Sequence, residues 1–471
     1  MEFAKYVLLI LLPCQAFALR AMKPQDVIDA VLSKSLDAET ITLNAQQDFV
    51  YMERALGVFD FSVKGSADYE YREAETLTGL ANPIDKTLTA NLALLKKTSL
   101  GAEFETGYLH QTQSSVLNSV TASTRDPNLT LDSGYFQWRQ HLWSNAFGVS
   151  DRADLNIARK TFKSSDMNKQ ESTEELVLKS LRLFWETYVA QTKLKDSITA
   201  RQMYKNLIGV VQKRGRFGLD KGGEYAQVMA DYTASDSAVK SASYDYLDKM
   251  RRLEWLMQDN FTEDMEFQVS DLVPPLPRLE PVKVEDLRAM KLAQIGLENA
   301  EAGRRAVDWR NEPNLDLVAR ATSTGVDPRA NAAYSELIAG TKPTYYVGLE
   351  FSTPLDSSAT RANEAEARVK YGRQVIEFKT RKQDVQSRMN LLERRLEETF
   401  TNANSALEIE KFRQRTVREQ ENEYRQGRLP LRDLLLTYEK FFDSQTQRVQ
   451  AIGDYHIALN EMAALRDELV R

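Results

Sequence analysis

The sequence predicts a mixed, mainly α protein in which long antiparallel coiled-coil helices accompany a small set of amphipathic strands. Three observations predict it. Two very long polar stretches keep apolar residues at 3–4 spacing, as in Val385, Met389, Leu392, Leu396, Phe400, Ala403 and Leu407, a pattern that packs helices as coiled coils. Other short stretches alternate with period two, the signature of strands with one apolar and one wet face. The same order of elements also occurs twice along the chain.

The clearest strand is "VFDFSVKGSADYEYRE", Val58 to Glu73. Phe59, Phe61, Val63, Ala67, Tyr69 and Tyr71 share one face, and Ser62, Lys64, Ser66, Asp68, Glu70 and Arg72 the other. In the first half, further strands are expected over about 87–94, 100–110 and 135–142. The second half adds 315–322 and 344–352. So few strands cannot close a barrel within one chain.

Each strand set leads into a helix pair. The first pair is expected over about 151–212 and 224–258, the second over 361–426 and 431–469. A helix of about 65 residues is roughly 100 Å long, far beyond the mean globular helix of about 11–12 residues. A second seam runs through Leu435, Tyr438, Phe442, Val449, Ile452, Leu459 and Ala463, with Gln445 and His456 filling two positions. Packing is the expected role of His456.

The halves are joined by "LVPPLPRLEPVKVEDL", Leu272 to Leu287, whose prolines stop a helix and favour an extended linker. Arg152 falls on Arg361, Ala158 on Ala367, Gly218 on Gly427, Glu224 on Asp433 and Tyr246 on Tyr455 at one constant offset of 209 residues. A structural duplication is the simplest cause. The resulting division is a leader over 1–18, a first repeat over 19–271, the linker over 272–285 and a second repeat over 286–471.

The leader has Lys5, the apolar run "YVLLILLPC" and the small-x-small "AFA" ending at Ala18. This reads as a secretory signal peptide cleaved after Ala18; acylation at Cys14 is the alternative. Cys14 is the only cysteine, so a mature chain could form no disulfide. No later run is long enough for a membrane helix, and an exported chain of this kind enters a membrane as strands.

Across 471 residues, 28% are charged, the net charge is −6 and the mean hydropathy is −0.47. That mild acidity argues against nucleic-acid binding. The three histidines, His110, His141 and His456, lack ligand-like spacing, so no metal site is expected. No cofactor is expected either. "GLDKGGEY", Gly218 to Tyr225, lacks the Gly-Lys-Ser/Thr of a phosphate loop. No catalytic constellation is visible, and the chain reads as a non-enzyme.

Three segments give the order a family likeness. They are "QWRQHLWSNAFG" (Gln137 to Gly148), "YVGLEFSTPLDSSATRANEAEAR" (Tyr346 to Arg368) and "EYRQGRLPLRDLLLTYEKFFDSQ" (Glu423 to Gln445). Together with the leader and the two repeats they resemble the TolC-type outer-membrane efflux proteins. The resemblance implies a homotrimer whose protomers share one outer-membrane β-barrel and whose helices form a periplasmic tunnel. It implies an exit duct for efflux or type I secretion in the outer membrane of a Gram-negative bacterium. The partners implied are a periplasmic adaptor and an inner-membrane transporter. Phe59, Phe61, Val63, Tyr69 and Tyr71 would then face lipid, as strand aromatics do in membrane barrels. The first half departs from the family's simplest plan of two strands per repeat, through the additional pair within 87–110. A periplasmic coiled-coil adaptor or scaffold is the alternative reading.

The resemblance also assigns the two helix breaks to a tip where an adaptor docks. Gly218 and Gly427 would permit the reversal, and Leu219 and Leu429 would be exposed apolar contacts. Asp433 matches the acid at the closed entrance, and threefold symmetry would set three such carboxylates in a ring. Arg425, Arg428 and Arg432 stand close enough in sequence to pair with Asp433 or Glu224 and hold the gate shut.

Overall fold

The computed structural model describes residues 21–73, 84–116, 128–216, 222–261, 265–269 and 272–470. The expected leader, Gly218 and Leu219 lie outside them. In chain order the elements are β1 (Ala21–Met22), α1 (Pro24–Lys34), α2 (Leu36–Gly57), β2 (Phe61–Glu73), β3 (Ile84–Lys97), β4 (Ala102–Val116), β5 (Asn128–His141), α3 (Val149–Arg216) and α4 (Glu224–Met257). There follow β6 (Glu266–Phe267), α5 (Arg288–Arg310), β7 (Asn314–Asp327), α6 (Ala330–Ala339), β8 (Pro343–Ser352), α7 (Ser358–Arg425) and α8 (Leu431–Leu465). The class is mixed and mainly α, as the sequence predicts.

α3 and α7 are each 68 residues long. The offset of 209 carries Val149 onto Ser358 and Arg216 onto Arg425, so both ends of the duplicated helix coincide. No described helix is long and apolar enough to cross a membrane.

Two compact units divide the chain, and each takes segments from both repeats. One unit comprises residues 1–44, 169–288 and 382–471. Its largest core joins Val27 and Val31 of α1, Phe184 and Trp185 of α3, and Met250, Leu253 and Met257 of α4. His456 stacks on Trp185 with ring centroids 3.7 Å apart and planes 7° from parallel. Its Nε2 lies 3.0 Å from the Leu272 carbonyl, so this histidine is a packing element of α8, as expected. The Pro-rich linker lies against α8: Tyr455 donates to the Pro274 carbonyl at 2.8 Å and Arg466 to that of Glu280 at 2.9 Å.

The same unit contains a buried ionic knot. Glu171, Glu174 and Asp467 converge closely enough to suggest a cation site, but the Arg288 guanidinium fills the space between them. It pairs with Glu174, and lies 3.3 Å from Asp467 and 3.7 Å from Glu171. The Arg288 N–H donates to Asp467 at 2.7 Å, and Glu174 accepts the Leu469 N–H at 2.9 Å. The knot thus ties α3 to the beginning of α5 and to the chain beyond α8.

The other unit, residues 45–168 and 289–381, is built on one antiparallel sheet in the order β2-β3-β4-β5-β7-β8. The additional pair, β3 and β4, lies inside this sheet, which therefore has four strands from the first repeat and two from the second. β2 begins at Phe61, paired with Lys96. Phe59 is therefore not a strand residue: it sits half-buried in the turn after α2, its N–H bonded to the Leu56 carbonyl at 2.9 Å. Alternation alone could not locate the end of the ladder.

Between β5 and α3 the chain reverses through Asn145 (φ 50°), Phe147 (φ 49°) and Gly148 (φ 73°). The Asn145 side chain accepts the N–H groups of Ser150 (2.9 Å) and Asp151 (3.3 Å), satisfying donors that the first turn of a helix leaves open. This is the physical content of "QWRQHLWSNAFG".

Replacing Arg288 by Met should destabilise the first unit by about 3–5 kcal/mol, because Glu174 would remain buried without its counter-charge. Thermal loss of the helical circular-dichroism signal checks this, and adding Glu174→Gln should restore part of the loss.

Candidate functional site: an amphipathic sheet and a helix-turn tip

Residues paired across the six strands share a face, so the ladder sorts every side chain. One face carries Phe61, Val63, Ala67, Tyr69 and Tyr71 of β2, Leu88, Leu92 and Leu94 of β3, and Phe104 and Tyr108 of β4. It continues with Phe136 and Trp138 of β5, Leu315, Leu317, Ala319 and Ala321 of β7, and Tyr345, Val347, Leu349 and Phe351 of β8. Phe61, Val63, Tyr69, Tyr71, Leu92, Tyr345, Val347, Leu349 and Phe351 each have more than half of their surface exposed in the single chain. So large a contiguous apolar surface marks a protein or lipid contact.

The opposite face is charged. Arg139 donates to Asp316 at 3.0 Å and to Glu350 at 2.7 Å, bridging β5, β7 and β8. His141 lies 2.7 Å from Asp316. Tyr135 donates to Glu105 at 2.6 Å beneath the Arg320 guanidinium. Lys64, Asp68, Glu70 and Arg72 are on this face of β2. Apolar on one side and ionic on the other, the sheet can separate hydrocarbon from water.

The apolar band crosses the strands obliquely. Its centre on β2 is residue 66, whose partners run through Asn91, Leu109, Ser133 and Thr324 to the level of residue 342. On β8 the band is centred on Gly348, six residues further along. Six strand residues are about 20 Å, and five strand spacings of about 4.8 Å span about 24 Å. The band is level only if the strands tilt by about 40°, within the roughly 35–45° of barrel strands.

The sheet has two free edges. Among the described residues, β2 pairs only with β3 and β8 only with β7. Every neighbouring pair is antiparallel, so with six strands the two edges run in opposite directions. β8 of one chain can therefore pair with β2 of another without breaking the alternation of strands or faces.

The tip lies in the first unit. α7 ends in a Schellman arrangement: the Arg428 N–H donates to the Glu423 carbonyl (2.9 Å) and the Gly427 N–H to that of Tyr424 (3.0 Å). Gly427 has φ 77°, and a side chain there would meet nothing within 4 Å. Backbone conformation is thus the reason for glycine at this position. Pro430 follows as the N-cap of α8.

Leu429 differs from expectation. It is half-buried, folded against the cluster of Leu431, Leu434, Leu435, Tyr438 and Phe441, because the tight turn directs it back into the seam. Asp433 is exposed in the first turn of α8, where the helix dipole favours an acid. Arg425, Arg428 and Arg432 are exposed as well, and among the described residues no ion pair joins them to Asp433 or Glu224 within one chain. The observed partner of Glu224 is the Tyr424 hydroxyl, at 3.2 Å.

Tyr424 and Arg214, both missed by sequence reasoning, hold the tip together. Tyr424 is almost wholly buried. Arg214 donates to its carbonyl at 2.6 Å and lies 4.2 Å from its ring centroid. One side chain thus links the end of α7 to α3 through Arg214 and to α4 through Glu224. Their separation of 210 residues leaves no local signal.

Above the tip, α3, α4 and α8 border an open groove of about 840 Å³, lined by Tyr204, Asp231, Ala234, Ala238, Phe442 and Gln445 among others. Burial, then Asp231 and Glu439, push the Tyr204 phenol up to about 12. Burial and the Glu439 charge raise the carboxyl of Asp231 above its usual range. Tyr438 donates to Glu421, and burial followed by that carboxylate drives its phenol far above the ordinary range.

No family model matches the sequence, and no curated protein matches it by sequence. Solved structures do. The outer membrane protein VceC from Vibrio cholerae aligns over 94% of this chain and 95% of its own, with a TM-score of 0.68 and 11% identity. CusC, whose structures describe folding and transmembrane channel formation, aligns over 94% and 91% with a TM-score of 0.70 and 12% identity. The open-state MtrE outer membrane channel of Neisseria gonorrhoeae aligns over 95% and 89% with a TM-score of 0.67 and 12% identity. At such identities the likeness shows the fold, that of the TolC-type outer-membrane channels.

The folded state of Asp231 binds its proton more tightly than the unfolded chain does. Its contribution to stability should therefore be greatest at low pH and decline as pH rises above the ordinary Asp value of about 3.9. Asp231→Asn should raise the melting temperature at neutral pH and flatten its decline above about pH 4. Thermal melts across that range, compared with wild type, check the sign.

Proposed function

We propose that this chain, which has the TolC-type fold, is an outer-membrane exit duct acting as a homotrimer. The observation that carries the reading is the six-stranded sheet with free edges, an ionic face and an oblique apolar band. In hydrocarbon every backbone polar group needs a partner, so a spanning sheet must close. One chain leaves β2 and β8 open; β8 of each copy meeting β2 of the next closes a ring by rotation. Three sheets of six strands reach the size of about 16–18 strands at which a barrel leaves an aqueous channel.

The ionic face, including Arg139, Asp316, Glu350 and Arg320, then lines water, and Phe61, Val63 and Val347 meet lipid. Trp143, Phe147 and Trp309, exposed where the strands lead into helices, suit the membrane interface. The long helix pairs form a periplasmic tunnel ending at the Gly427 turn. There a periplasmic adaptor docks and an inner-membrane transporter supplies cargo for efflux or secretion. With Leu429 folded inward, docking falls to the exposed polar surface of the turn. Asp433 supplies the acid ring of the gate, and Arg425 and Arg428 of neighbouring copies are its counter-charges. Each such exposed bond contributes only about 0–1 kcal/mol, so closure needs the symmetric set.

Two outcomes follow. Phe61→Arg or Val347→Arg should impair membrane assembly, by roughly 2–4 kcal/mol where the residue sits at mid-depth. Ser62→Arg on the opposite face should assemble normally and alter conductance; equal assembly of all three would refute the assignment of faces. Asp433→Asn should reduce the cation selectivity of purified channels in planar bilayers. Unchanged selectivity would remove Asp433 from the entrance.

A further inference from the structure

The short helix α6 has no counterpart in the expected plan, and its place is informative. It packs on β5 and β7, on the apolar face of the sheet and at the end remote from the long helices. There that face becomes polar: beyond Phe136 and Ala321 it presents His110, Thr112, Thr130, Asp132 and Ser323. Hydrocarbon cannot satisfy such groups.

α6 covers this patch at backbone contact. A Cβ on Gly325 would lie 1.8 Å from the Ala333 carbonyl oxygen, and one on Gly134 would lie 3.5 Å from Leu337. Only a strand without a side chain at residue 325 accepts the helix so closely. Ala333 is fully buried. Ser323 donates to the Leu337 carbonyl at 2.9 Å, and Glu336 accepts the Val326 N–H at 2.8 Å. Beside the helix, Asp132, 1% exposed, accepts from the Tyr108 hydroxyl at 2.7 Å and lies 2.6 Å from His110 Nδ1. The Tyr334 ring meets that of Tyr108 edge-on at 6.4 Å.

The outward side of α6 is uncovered and mixed, with Asn331 and Ser335 exposed on it beside two large apolar residues. Tyr334 and Ile338, one turn apart, are 50% and 68% exposed. Arg329 precedes the helix and pairs with Asp327 at 3.5 Å, and Lys342 follows it and pairs with Glu336; their side chains are still 83% and 56% exposed. Such a helix, with Tyr and Ile beside small polar groups on its outward side and exposed, ion-paired cations at its flanks, suits the boundary between headgroups and acyl chains, where Tyr is also favoured.

We propose that α6 is an interfacial helix, seated in the headgroup layer of the outer leaflet with Tyr334 and Ile338 toward lipid. It closes the polar upper part of the sheet and sets the outer limit of the spanning band. The occupant of its exposed face is a lipid surface, continuous with the apolar band below. This inference rests on the membrane reading of the sheet.

The test attaches one polarity-sensitive fluorophore at Ile338→Cys and, separately, at Val347→Cys, in full-length protein reconstituted into phospholipid vesicles. Nitroxide quenchers are placed either at the headgroup or deep in the acyl chain, and unsubstituted protein measures any labelling of Cys14. The expected result is quenching at residue 338 several-fold stronger with the headgroup nitroxide, and the reverse preference at residue 347. Deep quenching at residue 347 with none at 338 would overturn the helix proposal alone and leave the membrane reading standing. No quenching at either position would overturn both. In Gly325→Val, which cannot seat α6, headgroup quenching at residue 338 should be lost while that at 347 persists; unchanged quenching at 338 would mean that docking on the sheet does not place the helix.

Discussion

A sheet in hydrocarbon must leave no backbone polar group unpaired, and the other proposed features of this protein depend on that constraint. Among the described residues the ladder from β2 to β8 satisfies it within the sheet, Glu336 accepts the Val326 N–H beyond the start of β8, and the two edges remain open. Those edges run in opposite directions and present matching faces, so a further copy of the chain satisfies both. On the proposed reading, oligomerisation is the condition for insertion, and the aromatic face of Phe61, Tyr69, Tyr345 and Phe351, which would be a liability in water, is the lipid contact. The insertion of β3 and β4 enlarges the circumference without altering the edges.

The helical unit addresses a different problem. Long polar helices have little intrinsic reason to stay paired, and here specific long-range contacts fix their partners. Near the tip, Tyr424 joins Arg214 and Glu224 across three helices. Elsewhere Arg288 gathers Glu171, Glu174 and Asp467, and His456 stacks on Trp185. Such contacts define which helix faces which. The turn at Gly427 is exposed, as are Arg432 and Asp433 at the start of α8, while Leu431 and Leu434 of the same turn are buried in the seam.

What the sequence made legible followed periodicity. Period two located all six strands, and heptad spacing located α3 and α7 to within a few residues of Val149–Arg216 and Ser358–Arg425. Where a residue depends on its partners, sequence reasoning failed. Phe59 continues the alternation but precedes the ladder, because pairing begins at Phe61. Leu429 reads as an exposed tip residue but packs inward, because the Gly427 turn redirects the chain. The Ala-rich α6 was missed, although Gly340 with φ 63° ends it as a helix-terminating glycine commonly does. Its seat depends on Gly325, 11 residues before the Glu336 that bonds the same strand.

The central claim is that β2 of one copy pairs with β8 of the next. Disulfide crosslinking in outer membranes tests it most directly, with Ser66→Cys on β2 combined in turn with Thr344→Cys, Tyr346→Cys, Gly348→Cys or Glu350→Cys on β8. If the apolar band stays level across the seam, crosslinks should form between chains, peak near residue 348, and yield covalent rings of three. Crosslinks confined to single chains, or none at any of the four positions, would contradict closure between copies.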